Sequence, residues 1–151
     1  MAHGEKALKD TLLIHARVAF QPTHEKQPSL AELQHWASRN GFRFYRFNDI
    51  KHHSYLPSDI SIKERQATEQ ESADVLFLPS QECMDALSKE QKLKLAFVLS
   101  TVFEANDIVY DLVNGLNQDQ ALKYLVAQGI INPKSQISPP AGPTDSPKRT
   151  Y

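Results

Sequence analysis

The chain has 151 residues, 40% hydrophobic and 23% charged, with a formal net charge of −1. This is the size of one ordinary domain, with enough Leu, Val, Ile and Phe for a core, which excludes wholesale disorder. The near-zero charge excludes a global pull towards nucleic acid or anionic membrane, and a single cysteine, Cys83, excludes an intramolecular disulfide and favours a reducing compartment.

Residues 1–8 contain no apolar run and none of the marks of a secretory signal, so a flexible N-terminus is expected there. Residues 11–20 alternate as a strand does. Leu12, Ile14, Ala16, Val18 and Phe20 fall on one face, and Thr11, Leu13, His15, Arg17 and Ala19 on the other. A polar, proline-bounded loop follows, and then Ser29-Leu30-Ala31-Glu32, a capping box in which Ser and Glu satisfy each other's orphan backbone donors. Leu30, Leu33, Trp36 and Ala37 form the apolar stripe of that helix, and Asn40-Gly41 stops it. Phe42-Arg43-Phe44-Tyr45-Arg46-Phe47 reads as an aromatic-rich strand, completing a βαβ or split βαβ unit.

The signal weakens over residues 51–73. Ser61-Ile62-Lys63-Glu64 has capping-box form, but residues 65–72 have almost nothing to bury, which predicts an exposed helix or a loop. Val75-Leu76-Phe77-Leu78 is a short apolar run suited to a buried third strand. Ser88-Lys89-Glu90-Gln91 opens a helix carrying Leu93, Leu95, Ala96, Phe97, Val98, Leu99, Val102 and Phe103. Because that segment is apolar on most sides, it is expected to be the central buried helix, with Phe97 and Phe103 inside. It is too short to span a bilayer. Ile108, Val109, Leu112, Val113 and Leu116 continue the helical spacing, which leaves open whether a bend at Asn106-Asp107 divides the two stretches. Asn117 caps a last helix whose inner face is Ala121, Leu122, Leu125 and Val126.

Beyond Pro133 the chain carries Pro139, Pro140, Pro143 and Pro147 and cannot build a core. The expected organisation is a flexible N-terminus (1–8), a single α+β domain (9–133) and a disordered Pro-rich tail (134–151). The fold class is α+β: a small three-stranded, βαβ-like sheet followed by a C-terminal helical segment of two to four helices. A cytoplasmic location is expected.

The most distinctive chemistry lies in residues 34–56, where Arg39, Arg43, Arg46 and Lys51 face Asp49 alone, a net charge of +3 without the histidines. Arg39, Arg43, Tyr45, Arg46, Lys51, His52 and His53 are therefore the candidate binding residues. Arginines interleaved with aromatics can neutralise phosphates and stack bases. The plainer account makes Phe42, Phe44 and Phe47 core and lays the arginines along the sheet rim. Two-residue spacing puts Arg43 with Tyr45 and sends Arg46 to the opposite face, unless the strand bulges between them.

Neither a metal nor a cofactor is expected. The six histidines lack ligand spacing, and the five glycines form no phosphate-cradling loop. Cys83 could be a nucleophile beside a histidine, yet a lone cysteine is usually a small hydrophobe, so no catalytic residue is assigned. Residues 57–90 carry a net charge of −5 on mostly polar segments and read as a solvated face. Residues 104–125 have a helix-turn-helix outline but a net charge of −3, the wrong sign for a major groove.

The preferred reading is a non-enzymatic intracellular binding or regulatory module acting through a protein partner. One alternative is a nucleic-acid-binding accessory protein using residues 39–53. The other is a small enzyme whose His/carboxylate site sequence cannot bring together. No membrane association is expected.

Overall fold

A computed structural model describes residues 8–61 and 66–133. The expected flexible N-terminus, but for Leu8, the expected tail and all but the first residue of the Ser61 capping box lie outside the described residues. The described elements run β1 (Ile14–Ala19), α1 (Leu30–Arg39), β2 (Phe42–His53), β3 (Glu69–Pro79), α2 (Gln81–Asp85), α3 (Lys89–Thr101), α4 (Asn106–Asn114) and α5 (Gln118–Ala127). This is an α+β fold, a three-stranded sheet followed by mostly C-terminal helices. The chain forms two compact units, one through Gln91 and one from Lys92.

In the first unit the strand order is β1-β3-β2, and both outer strands run antiparallel to β3. β1 and β2 therefore point the same way with α1 between them in sequence, and β3 fills the slot: the split form of the βαβ unit. The residues explain why β3 is central. Val75, Leu76, Phe77 and Leu78 are apolar on both faces and all fully buried, whereas β1 alternates. A strand with two apolar faces is stable only where both are covered.

One face of the sheet carries the core. Ile14 pairs with Phe77, Val18 with Ala73 and Phe44 with Phe77, and this face packs with Ala37, Leu33 and Trp36 of α1. Phe44 meets Phe47 and Phe77 edge-on, at centroid distances of 4.9 and 6.5 Å, a favourable geometry for aromatic quadrupoles. The capping box of α1 forms: Glu32 N–H donates to Ser29 Oγ at 3.2 Å and Ser29 N–H to Glu32 Oε2 at 2.7 Å.

Two expectations need correcting here. Residues 69–72 are neither helix nor loop but the start of β3, with His53 opposite Glu69 and both Ala19 and Lys51 opposite Ser72. Backbone pairing holds them, so a segment with little to bury can still be a strand. In addition, β2 contains an extra residue at Tyr45: Phe44 pairs with Phe77 and Arg46 with Leu76, its neighbour. Such a bulge turns every later side chain to the other face.

In the second unit α3 stops at Thr101, and Glu104 takes φ +51 while Ala105 N–H donates to Leu99 O at 3.0 Å. That is the pattern of a left-handed C-terminal cap, and it resolves the open question of a break before Asn106. The Tyr124 hydroxyl donates to Asn106 Oδ1 at 2.7 Å and lies 3.0 Å from Ser100 Oγ, joining α5 to α4 and α3. Asn117 caps α5 by accepting from Gln120 N–H at 3.1 Å. Leu95, Ala96 and Leu99 of α3 are buried.

The expected burial of Phe97 does not hold: the residue is 69% exposed, and Phe103 is half-buried. α3 has apolar residues all round, and periodicity cannot say which half faces inward. Truncating Phe97 to alanine is accordingly expected to cost under about 1 kcal/mol in a thermal or urea melt, rather than the about 3–5 kcal/mol of a buried phenylalanine.

Candidate functional site

The seven candidate binding residues do not form one strip. Arg39 ends α1 and is exposed. Arg43 and Arg46 stand opposite Leu78 and Leu76, which lie two apart on β3, so the bulge puts both arginines on the face away from the aromatic core. The two-residue spacing had separated them; the inserted Tyr45 reverses that. Arg43 is exposed, and Arg46 is half-buried with its guanidinium 5.8 Å from the Tyr45 ring centroid.

The same face carries a ladder of charges across all three strands. His15 Nε2 lies 3.2 Å from Asp74 Oδ2, and Arg17 Nε lies 2.6 Å from Asp74 Oδ1. Arg17 then reaches Asp49 Oδ2 at 3.0 Å, and Lys51 Nζ reaches Asp49 Oδ1 at 3.2 Å. Asp49 sits at a second irregularity of β2 with φ +47, a left-handed conformation that aspartate tolerates better than most residues. Lys51, counted by sequence among the binding cations, is thus matched by Asp49 within the fold.

Hydrogen bonds from Arg17 and then Lys51 hold the Asp49 carboxyl below the usual aspartate range. A carboxylate whose pKa is lower folded than unfolded contributes stability above its unfolded pKa, and this is lost as pH falls through the folded value. Titration followed at the Asp49 Cγ by NMR should show a midpoint below that of an ordinary aspartate. Arg17→Ala should move it up; an unmoved midpoint would remove Arg17 as the main cause.

His52 and His53 are exposed at the far end of β2. His53 stacks edge-on against Tyr55 at 4.8 Å, and the Tyr55 hydroxyl donates to the Glu69 carboxylate. That bond and the charge of Glu69 push the phenol pKa up. His53, Tyr55 and Glu69, but not His52, line an open cleft of about 370 Å³ together with Glu71, Thr23 and Gln21. The cleft brings a histidine and two glutamates together, which sequence spacing could not show. Among the described residues its lining carries two glutamates and no lysine or arginine, a composition that does not favour phosphate. Cys83 is exposed in the short helix α2, where its N–H donates to the Ser80 hydroxyl at 3.3 Å. Among the described residues no three or more His, Cys, Asp or Glu are disposed to hold a metal, and no helix is long and apolar enough to cross a membrane.

The surface that sequence reasoning placed wrongly is the outer half of α3. Leu93 is 45% exposed, Phe97 69% and Val98 36%, and Val102, directly after the helix, is 66% exposed. The sequence carried no signal for this choice of face: the helix is apolar on most sides, and only packing buries Leu95, Ala96 and Leu99. Compared with protein-family models, with curated proteins and with solved structures, the chain has no match.

Proposed function

We propose that this chain is a non-enzymatic intracellular binding or regulatory module that acts through a protein partner, which docks on the outer face of α3. The observation that carries this reading is the exposure of Leu93, Phe97 and Val98 on one helix and of Val102 directly after it. Single exposed apolar side chains are ordinary, but several gathered on one element mark a protein contact. A helix presenting such a face fits an apolar groove or another helix.

The nucleic-acid reading keeps one observation in its favour, namely that the bulge brings Arg43 and Arg46 to a common face. Against it stand the Lys51–Asp49 pair and the acidic cleft at His53. One experiment separates the two: retention from a lysate on the immobilised full chain, read for protein and nucleic acid together. Phe97→Asp should abolish protein retention with an unchanged melting temperature, and Arg43→Ala with Arg46→Ala should not. Nucleic acid retained by the wild type and lost in the arginine variants would favour the alternative and defeat the proposal.

A further inference from the structure

We propose that the cleft lined by Tyr55, His53, Glu69 and Glu71 is a binding site for a guanidinium group. None of these residues belongs to α3, so the inference stands apart from the protein-partner reading. The sequence itself opens the cleft. β1 pairs with β3 as far as Ala19 opposite Ser72, and Phe20 N–H then donates to Glu71 O at 2.9 Å. Donors of an antiparallel ladder recur at every second residue, so the next would be residue 22, a proline without an N–H. The chain leaves β3 there, and Gln27 Oε1 fixes the departing loop by accepting from Thr23 N–H at 3.0 Å and from its hydroxyl at 2.7 Å. β2 and β3 run on together to His53 opposite Glu69. The space left beside Ala19, Gln21 and Thr23 is the cleft of about 370 Å³.

The sign of the ligand follows from the carboxylates. The three strands carry four of them: Asp49, Glu69, Glu71 and Asp74. Asp49 is paired with Arg17 and Lys51, and Asp74 with Arg17. Glu69 and Glu71 are the two that line the cleft, and neither has an ion pair among the described residues. Glu69 accepts from the Tyr55 hydroxyl, and Glu71 is exposed. Within the described sheet these two charges alone lack a cation.

The shape of the ligand follows from the ring. Tyr55 is exposed, yet it is held at its hydroxyl by Glu69 and at its edge by His53, at a centroid distance of 4.8 Å. A ring fixed in this way beside two carboxylates offers its face to a cation. A planar guanidinium can stack on it and donate two parallel N–H bonds to one carboxylate, whereas an ammonium is a more strongly hydrated point charge. A metal ion would make no use of the ring, and the described residues include no metal-holding group of three. A guanidinium can come from an arginine side chain or from a free alkylguanidine.

NMR titration of the ¹⁵N-labelled full chain with acetyl-Gly-Arg-Gly-amide and with ethylguanidine tests the site. Amide shifts are expected around residues 19–23, 53–55 and 69–72, with a dissociation constant of about 1 mM or below that rises with added salt. Glu71→Gln should raise that constant at least about 5-fold without changing the melting temperature. Tyr55→Leu should weaken binding similarly, and Tyr55→Phe, which keeps the ring, should bind more tightly than Tyr55→Leu. Equal losses in those two variants would remove the ring from the site and overturn the stacked guanidinium. Equal affinity for ethylguanidine and the peptide would assign the site to free guanidines, and tighter binding of the peptide would assign it to an arginine side chain; both uphold the proposal. Equally tight binding of acetyl-Gly-Lys-Gly-amide would overturn the choice of guanidinium. Displacement of the arginine peptide by a lower concentration of calcium would make the cleft a metal site. No shift at about 20 mM of either guanidinium probe would overturn the site altogether.

Discussion

Replacing Phe77 by alanine is expected to destabilise the chain by about 3–5 kcal/mol, the largest loss expected from any single truncation here. Phe77 is 0% exposed at the centre of β3, between Ile14 on one neighbouring strand and Phe44 on the other. It belongs to the cluster formed with Val18, Ala37, Phe42 and Val75, and its ring meets that of Phe44 edge-on. Removing it loses the transfer free energy of the ring and leaves a cavity whose walls belong to three elements. Those walls cannot collapse independently, because the antiparallel ladder pins β3 from both sides. Urea denaturation of the variant beside Phe97→Ala gives the cleanest reading, since the residue type is the same and only burial differs. A loss below about 1 kcal/mol for Phe77→Ala would mean that the sheet core has been misplaced.

Gly41→Ala is expected to cost about 2 kcal/mol, from two sources that can be separated. Gly41 has φ +80, in the left-handed region where a side chain is strained, and a Cβ built there would lie 2.8 Å from Cys83 Sγ. The position cannot relax freely, because Ser80 N–H donates to Gly41 O at 2.8 Å and Gly41 directly precedes β2. The sulfur is a mobile side-chain end and can turn aside, whereas the backbone dihedral cannot. Introducing Cys83→Ala alongside should therefore recover only the smaller part, under about 1 kcal/mol. Full recovery in the double variant would assign the whole cost to the steric contact and none to the dihedral.

The helix starts were legible because their signals are local. The reciprocal bonds of Ser29 with Glu32 and of Ser88 with Gln91, and the Asn117 cap, each involve residues three apart in sequence, so the spacing itself is the geometry. Asn40-Gly41 ended α1 as read, with the Asn40 amide donating to Trp36 O at 2.8 Å and Gly41 left-handed. Of the candidate site, Arg39 and Arg43 are exposed, while the pairing of Lys51 with Asp49 was invisible in the sequence. Arg17, which completes that ladder, comes from a strand 32 residues away.

Sequence alone determined that this is an α+β chain with a strand–helix–strand opening, an apolar third strand and a helical C-terminal part. Each of these follows from periodicity and capping, which are properties of neighbouring residues. Only the tertiary structure decided that β3 enters between β1 and β2, that Glu69–Ser72 join it, that Tyr45 is the extra residue that moves Arg46 to the face of Arg43, and that Phe97 faces outward. Register, bulge and the choice of buried face depend on a partner strand or packing surface far away in the chain. In an element apolar all round, such as α3, every rotation satisfies the local pattern equally well, and only packing breaks the tie.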